Sequence, residues 1–260
     1  MYNVDNLNLD SLEYIVRNGD TLIQYAFKDD PNRIRVPFDY RDSTFLNYYI
    51  PIAFRLHKDT KDSLKESHKY WRNDIKIFFG KHISKNLKKE FLSFAKKLDN
   101  TIDSLKIYPV KSLEASNYVI YTSEDYEYEP QMTNNKNSGY YVYWKKSNKI
   151  YKGAIKLNDE KQFNDRLKLY ELKRHFVQSL GYFRYDDRLD CKHFFSNCYS
   201  PEKQLTALDL EILKYHYSYG ICKGITLESF QEFHRQAAKI KAQGDQLLIT
   251  HLKSELEKDN

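Results

Sequence analysis

Residues 171–187 read ELKRHFVQSLGYFRYDD. Leu169, Leu172, Phe176 and Leu180 recur at steps of three and four, so the spacing predicts a helix over 163–180 with one stripe turned to a core. Gly181 stops it. Arg174 and Gln178 stand four residues apart on one face of that helix, and so do Glu171 and His175.

The order of elements is legible on both sides of this helix. Upstream, 74–79 (DIKIFF) alternates polar and apolar residues and reads as a strand. Residues 84–105 carry Leu87, Phe91, Phe94, Ala95, Leu98, Ile102 and Leu105 at helical spacing behind Ser84, a natural N-cap. Strands are expected at 117–122, 140–144 and 150–157. Downstream, 206–217 reads as a helix, and 226–258 as one long final helix punctuated by Gly244. Near the start, 10–17 suggests a short helix, 21–27 and 33–38 strands, and 42–68 helix interrupted near Pro51. The expected class is α+β: a mixed sheet with helices on one face. The expected divisions are an N-terminal α/β extension over 1–66, a core domain over 67–227, and a C-terminal helix over 228–260 packed on that core.

The 171–187 stretch resembles the active-site helix of zincins, the zinc metallopeptidases whose pattern is H-E-x-x-H followed by x-x-G-x-x-H or D. Anchored on Gly181, Arg174 falls at the first His, His175 at the Glu, Gln178 at the second His and Arg184 at the third ligand. Residues 205–217 (LTALDLEILKYHY) followed by 220–224 look like a downstream segment of bacterial zincin-like families of unknown function. Residues 71–80 (WRNDIKIFFG) look like the opening strand of that fold. The resemblance implies a zincin-like mixed sheet with a long first helix, a degenerate active-site helix and C-terminal helices. It also implies a peptide-sized cleft beside an edge strand, for which 140–144, with Tyr140, Tyr141, Tyr143 and Trp144, is the candidate.

The departures from the pattern bear on chemistry. Zinc takes imidazole, carboxylate or thiolate donors. Arg174 is always charged and cannot coordinate, and Gln178 is a poor ligand. With His175 at the carboxylate position, this frame holds no water-activating pair. The expectation is a binding or structural protein without a cofactor, zinc being disfavoured, with an extended peptide or protein as partner. Two alternatives stay open. One is an atypical metal-dependent peptidase using Glu171 and His175, with His193, Asp186 or Asp187 as third donor; an ordinary helix-surface pair explains the same spacing. The other is a basic-surface adaptor for an anionic polymer. Arg174 itself has Glu171, Asp186 and Asp187 as prospective ion-pair partners.

Composition narrows the classes further. A net charge of +6 with acids and bases interleaved is no nucleic-acid footprint, so no nucleic acid is expected. No stretch approaches the roughly 18 apolar residues of a membrane span. The eight glycines form no phosphate loop, and Ser179 and Ser200 have no readable triad partners. Cys191 and Cys198 are spaced either for a short disulfide or as free thiols. Compartment reads two ways: the resemblance implies the envelope or secretion, while MYNVDNLNLD has no signal-peptide pattern.

Overall fold

A computed structural model describes residues 31–56, 66–102 and 104–253, with the backbone of two further strands at Leu12–Arg17 and Asp20–Tyr25. The chain divides into two units, Met1–Arg35 with Thr250–Glu257, and Val36–Ile249 with Lys258–Asn260.

In the smaller unit, β1 (Leu12–Arg17) pairs antiparallel with β2 (Asp20–Tyr25), Arg17 opposite Asp20. The helix expected over 10–17 is therefore a strand. Tyr14, Ile15 and Val16 favour that choice, since aromatic and β-branched side chains fit a pleated surface better than a helix. Asn18-Gly19, a strong hairpin signal, stands between the two strands in the sequence. A second ribbon joins β3 (Arg33–Pro37) to β10 (Leu248–Leu252).

The larger unit holds the sheet. Strands β5 (Ile75–Phe79), β6 (Ile107–Pro109), β7 (Tyr118–Thr122) and β9 (Lys149–Leu157) are parallel, in the order β9-β7-β5-β6. The short β4 (Tyr70–Trp71) joins the start of β9. Strand β8 (Gly139–Trp144) pairs antiparallel with β9, so the sheet is mixed. Helices α1 (Ser43–Ala53), α2 (Lys85–Asp99), α3 (Asp165–Ser179), α4 (Ala207–Tyr217) and α5 (Leu227–Ala242) complete it.

One continuous core joins Ile75, Ile77, Tyr118, Ile120 and Ile155 of the sheet to Tyr49, Phe91, Phe176, Ile212 and Phe230 of the helices. The other sheet face buries Val119, Tyr121 and Ala154 under Tyr128. Class and layering are thus α+β, a mixed sheet with helices gathered on one face. Among the described residues no helix is long and apolar enough to cross a membrane.

Boundaries fall elsewhere than expected in several places: α2 stops at Asp99 and not at 105, and residues 66–68, expected to be helical, are not, Ser67 forming a bridge to Thr226. Helix α1 carries Phe45, Tyr49 and Ile52 into the main core, so the larger unit begins at Val36, not after 66. The final helix stops at Ala242. Gly244 takes φ 81°, a left-handed exit, and Leu248-Ile249-Thr250 continue as β10. The last residues of the expected helix, 254–258, lie outside the described residues, as do 57–65 of the helix expected over 42–68.

Candidate functional site

Helix α3 begins at Asn164, whose side chain accepts from Leu167 N, and its C-terminal end is locked to the sheet. Ser179 Oγ donates to Phe176 O at 2.8 Å and shares a 2.7 Å hydrogen bond with Tyr118 Oη, while Trp71 Nε1 donates to Ser179 O at 3.0 Å. Ser179 is therefore a fastener. Gly181 is required by close approach: a Cβ there would meet the Phe183 ring at 2.4 Å and His216 Nε2 at 2.8 Å. Tyr182 follows at φ 53°, turning the chain back toward the helix.

On the face turned to β8, Glu171 Oε2 accepts from Arg174 Nη2 at 2.8 Å and lies 3.0 Å from His175 Nε2. Among its prospective partners Arg174 thus takes Glu171. Asp186 is held by Arg188, whose Nε donates to it at 2.8 Å. Burial by itself would raise the Glu171 carboxyl, but His175 and Arg174 beside it hold it below the usual carboxylate range. The Arg174 guanidinium also lies 5.2 Å from the centroid of the Tyr185 ring. His175 is 7% exposed; its Nε2 lies against the Glu171 carboxylate, while its Nδ1 and the buried Tyr185 hydroxyl have no hydrogen-bond partner among the described residues. A buried polar group left this way costs about 1–3 kcal/mol.

The Tyr140 ring on β8 lies 5.9 Å from the His175 ring. Burial pushes its phenol up to about 12, with the Arg55 guanidinium opposing. Beyond it, Trp144 packs on Tyr182 at 4.9 Å, Arg55 covers Tyr182 at 3.9 Å, and Lys69 lies 5.4 Å over Trp144. Tyr141 and Tyr143 pack on each other at 4.9 Å, and Tyr143 Oη donates to Glu129 while its ring neighbours Tyr151. Side chains alternate across a strand, so the four aromatics expected to share one groove are divided. Tyr140 and Trp144 meet the helix side; Tyr141 and Tyr143 meet the opposite face.

The remaining motif positions separate too. Gln178 is buried, and its carbonyl accepts from Phe183 N at 2.8 Å. Arg184 turns to the end of α1, its N–H donating to Ile52 O at 2.9 Å and its guanidinium to Leu56 O. His193 Nδ1 lies 2.7 Å from Thr206 Oγ1 and 3.4 Å from Asp209 Oδ1, at the start of α4. There Thr206 and Asp209 form a capping box, and Asp209 Oδ2 also accepts from Phe194 N at 3.1 Å. Thr206 and Asp209, within the 205–217 stretch quoted from the sequence, thus form a helix cap that also binds the preceding loop.

This set does not fit zinc. Glu171 and His175 supply two donors and a fixed cation lies against them; of the third donors considered, His193 is held by Thr206 and Asp209 and Asp186 by Arg188, while Asp187 is exposed. Among the described residues no three His, Cys, Asp or Glu stand together in a way that could hold a metal ion.

Sequence reading missed Arg55, Lys69, Tyr185 and Lys203. Lys203 Nζ donates to His193 O at 2.6 Å and Ser196 O at 2.8 Å; burial, with Arg174 nearby, pulls its ammonium down to about 8. Arg55 and Lys69 sit about 100 positions before the helix, with no local pattern to single them out. The disulfide Cys191–Cys198 closes the loop just before Lys203. A cavity of about 940 Å³ elsewhere in the larger unit, lined by Asp39, Arg41, Tyr215 and Lys241 among others, includes none of the residues chosen from the sequence. No protein-family model matches the chain, and no curated protein matches it.

Proposed function

We propose that the chain is a zincin-like protein that binds an extended peptide and does not hydrolyse it. The observation that carries this reading is the Glu171–Arg174–His175 group on the motif face of α3, set beside the antiparallel strand β8. A guanidinium occupies the first ligand position of the motif, and its partner is the neighbouring carboxylate. Strand β8 follows β9 on one side and offers its other edge for strand addition, in which main-chain hydrogen bonds give affinity and alternate side chains give specificity. Tyr140 and Trp144 line the helix side of that edge. A long helix after β5 and a mixed sheet ahead of α3 accord with the resemblance.

The test is metal content by mass spectrometry on protein purified without a metal-affinity column and dialysed against zinc. The expected metal-to-protein ratio is near zero, with no chelator-sensitive cleavage of peptides. A ratio near one that drops in Glu171→Ala or His175→Ala would replace this reading with a metal-dependent peptidase built on those two residues.

A further inference from the structure

His68 and His216 are both 0% exposed, and their rings stack at 3.9 Å. Hydrogen bonds fix the tautomer of each ring. His216 Nε2 lies 2.8 Å from Lys69 O and so carries the proton, while its Nδ1 accepts from the Tyr49 hydroxyl at 3.2 Å. His68 Nε2 donates to His216 O at 3.2 Å, and His68 Nδ1 accepts the Gly224 N–H at 3.4 Å. The two rings differ in what a second proton would meet. A hydroxyl can turn and accept, so a proton on His216 Nδ1 would keep Tyr49 as its partner. A backbone amide only donates, so a proton on His68 Nδ1 would stand N–H against N–H.

Gly224 lies in the segment 218–226 between α4 and α5, which contains no regular helix or strand, and residues 222–226 are partly exposed. Two neighbours hold this segment beside His68. From the strip before β4, His68 N donates to Ile225 O at 3.0 Å, and Leu227 N donates back to Glu66 O at 2.8 Å. From the turn between β8 and β9, Asn148 Nδ2 donates to Gly224 O at 2.8 Å, and Ser67 Oγ donates to Asn148 Oδ1 at 3.0 Å. Gly224 has φ 72°, and a Cβ there would meet Ser147 O at 2.6 Å. The titratable and charged groups set around the two rings are Tyr49 from α1, Lys69 and Tyr70 at the start of β4, Tyr217 from α4, and Lys223, whose Nζ donates to His216 O at 2.5 Å. Asp39 acts on Lys223 and Glu66 on Lys69, not on the histidines. An imidazolium formed in place would therefore have ammonium groups and phenols for company.

We propose that the His68–Gly224 contact is an acid-released latch: in mild acid a proton enters His68 as segment 218–226 lifts from residues 66–68 and from the β8–β9 turn, while the sheet stays folded. The closed form binds no proton at His68 and the open form binds one below about 6.5, the ordinary histidine value. The open population therefore rises about tenfold for each pH unit below that. The latch is independent of peptide docking and stands or falls without it.

The experiment is hydrogen-exchange mass spectrometry on the full chain between pH 7 and 4.5, with protection corrected for the pH dependence of intrinsic exchange. Protection over 218–228 is expected to fall about tenfold per unit below pH 6.5, while β7 stays protected. His68→Gln supplies an amide donor and a carbonyl acceptor without a titrating group, and is expected to flatten the slope. Asn148→Ala is expected to lower protection over 218–228 a few-fold at pH 7 and to keep the slope. Protection independent of pH, or lost only in step with β7, overturns the latch. A slope that persists in His68→Gln overturns the assignment to His68. The wild-type profile decides by itself if that variant fails to fold.

Discussion

Arg174 and His175 divide one carboxylate, Glu171, and this arrangement sets what replacing Arg174 does. The pair is neither exposed nor sealed: both side chains are 18% accessible. Exposed pairs contribute about 0–1 kcal/mol and broken buried pairs cost about 3–5. Arg174→Ala, which also uncovers Tyr185, is therefore expected to cost about 1–2 kcal/mol, read as a lowered melting temperature; an unchanged melting temperature would mean that the pair is ornamental to the fold. His68 and His216 give the second prediction at this scale. Their rings stack at 3.9 Å in full burial, with Tyr49 Oη 3.2 Å from His216 Nδ1 and Lys69 O 2.8 Å from His216 Nε2. Burial first, and then the neighbouring Lys223, pulls His216 well below its usual value; for His68 the second cause is His216 itself. The folded state keeps both neutral while the unfolded chain takes up protons. Their contribution is complete above the unfolded value of about 6.5 and is lost progressively as pH falls below it. The urea midpoint is expected to drop between pH 7 and 5, and His216→Gln to flatten that slope. Glu171 and Asp186, held below the carboxylate range, act only at lower pH, below about 4.

At the scale of elements, the segment between α3 and α4 contains no regular helix or strand, yet it carries Tyr185, His193 and Lys203. Three devices order it: Asp186 N donating to Phe195 O at 2.8 Å, the Asp209 cap reaching back to Phe194, and the Cys191–Cys198 bridge. Closing so short a loop restricts the unfolded chain by about 2–3 kcal/mol. The double variant Cys191→Ser, Cys198→Ser is expected to lose about 2 kcal/mol in urea unfolding, with the melting curve of the wild type in reductant moving the same way. Helix α4 was readable from its spacing, but the grip of its Asp209 cap on Phe194 was not, because that contact spans 15 positions. The error over 10–17 has a local cause: a stretch of eight residues of mixed character satisfies a helix and a strand pattern alike, and pairing of 12–17 with β2 decides.

For the larger unit as a whole, β7 is the centre. All five of its residues are buried and it is paired on both sides, with β5 and β9. Its amides are expected to exchange only through global unfolding, whereas amides of β3, where four of five residues are exposed, exchange far sooner. Hydrogen-exchange mass spectrometry resolves the two, and comparable rates would contradict a core organised around β7.

The sequence alone determined the helices α2, α3 and α4, the strands β5, β7, β8 and β9, and the α+β class, because hydrophobic periodicity and caps are local. It also determined that Arg174, His175 and Gln178 stand within one turn of α3, since that is a matter of residue identity at fixed helical spacing. Only the tertiary structure decided that Glu171 is the partner of Arg174, that Tyr140 and Trp144 part from Tyr141 and Tyr143, and that Arg55 meets Tyr182, Lys69 meets Trp144 and Lys203 comes near Arg174. Those facts depend on contacts between distant positions, on the side of the sheet each residue meets, and on which polar groups the fold buries without a partner. None of these is encoded in a local pattern.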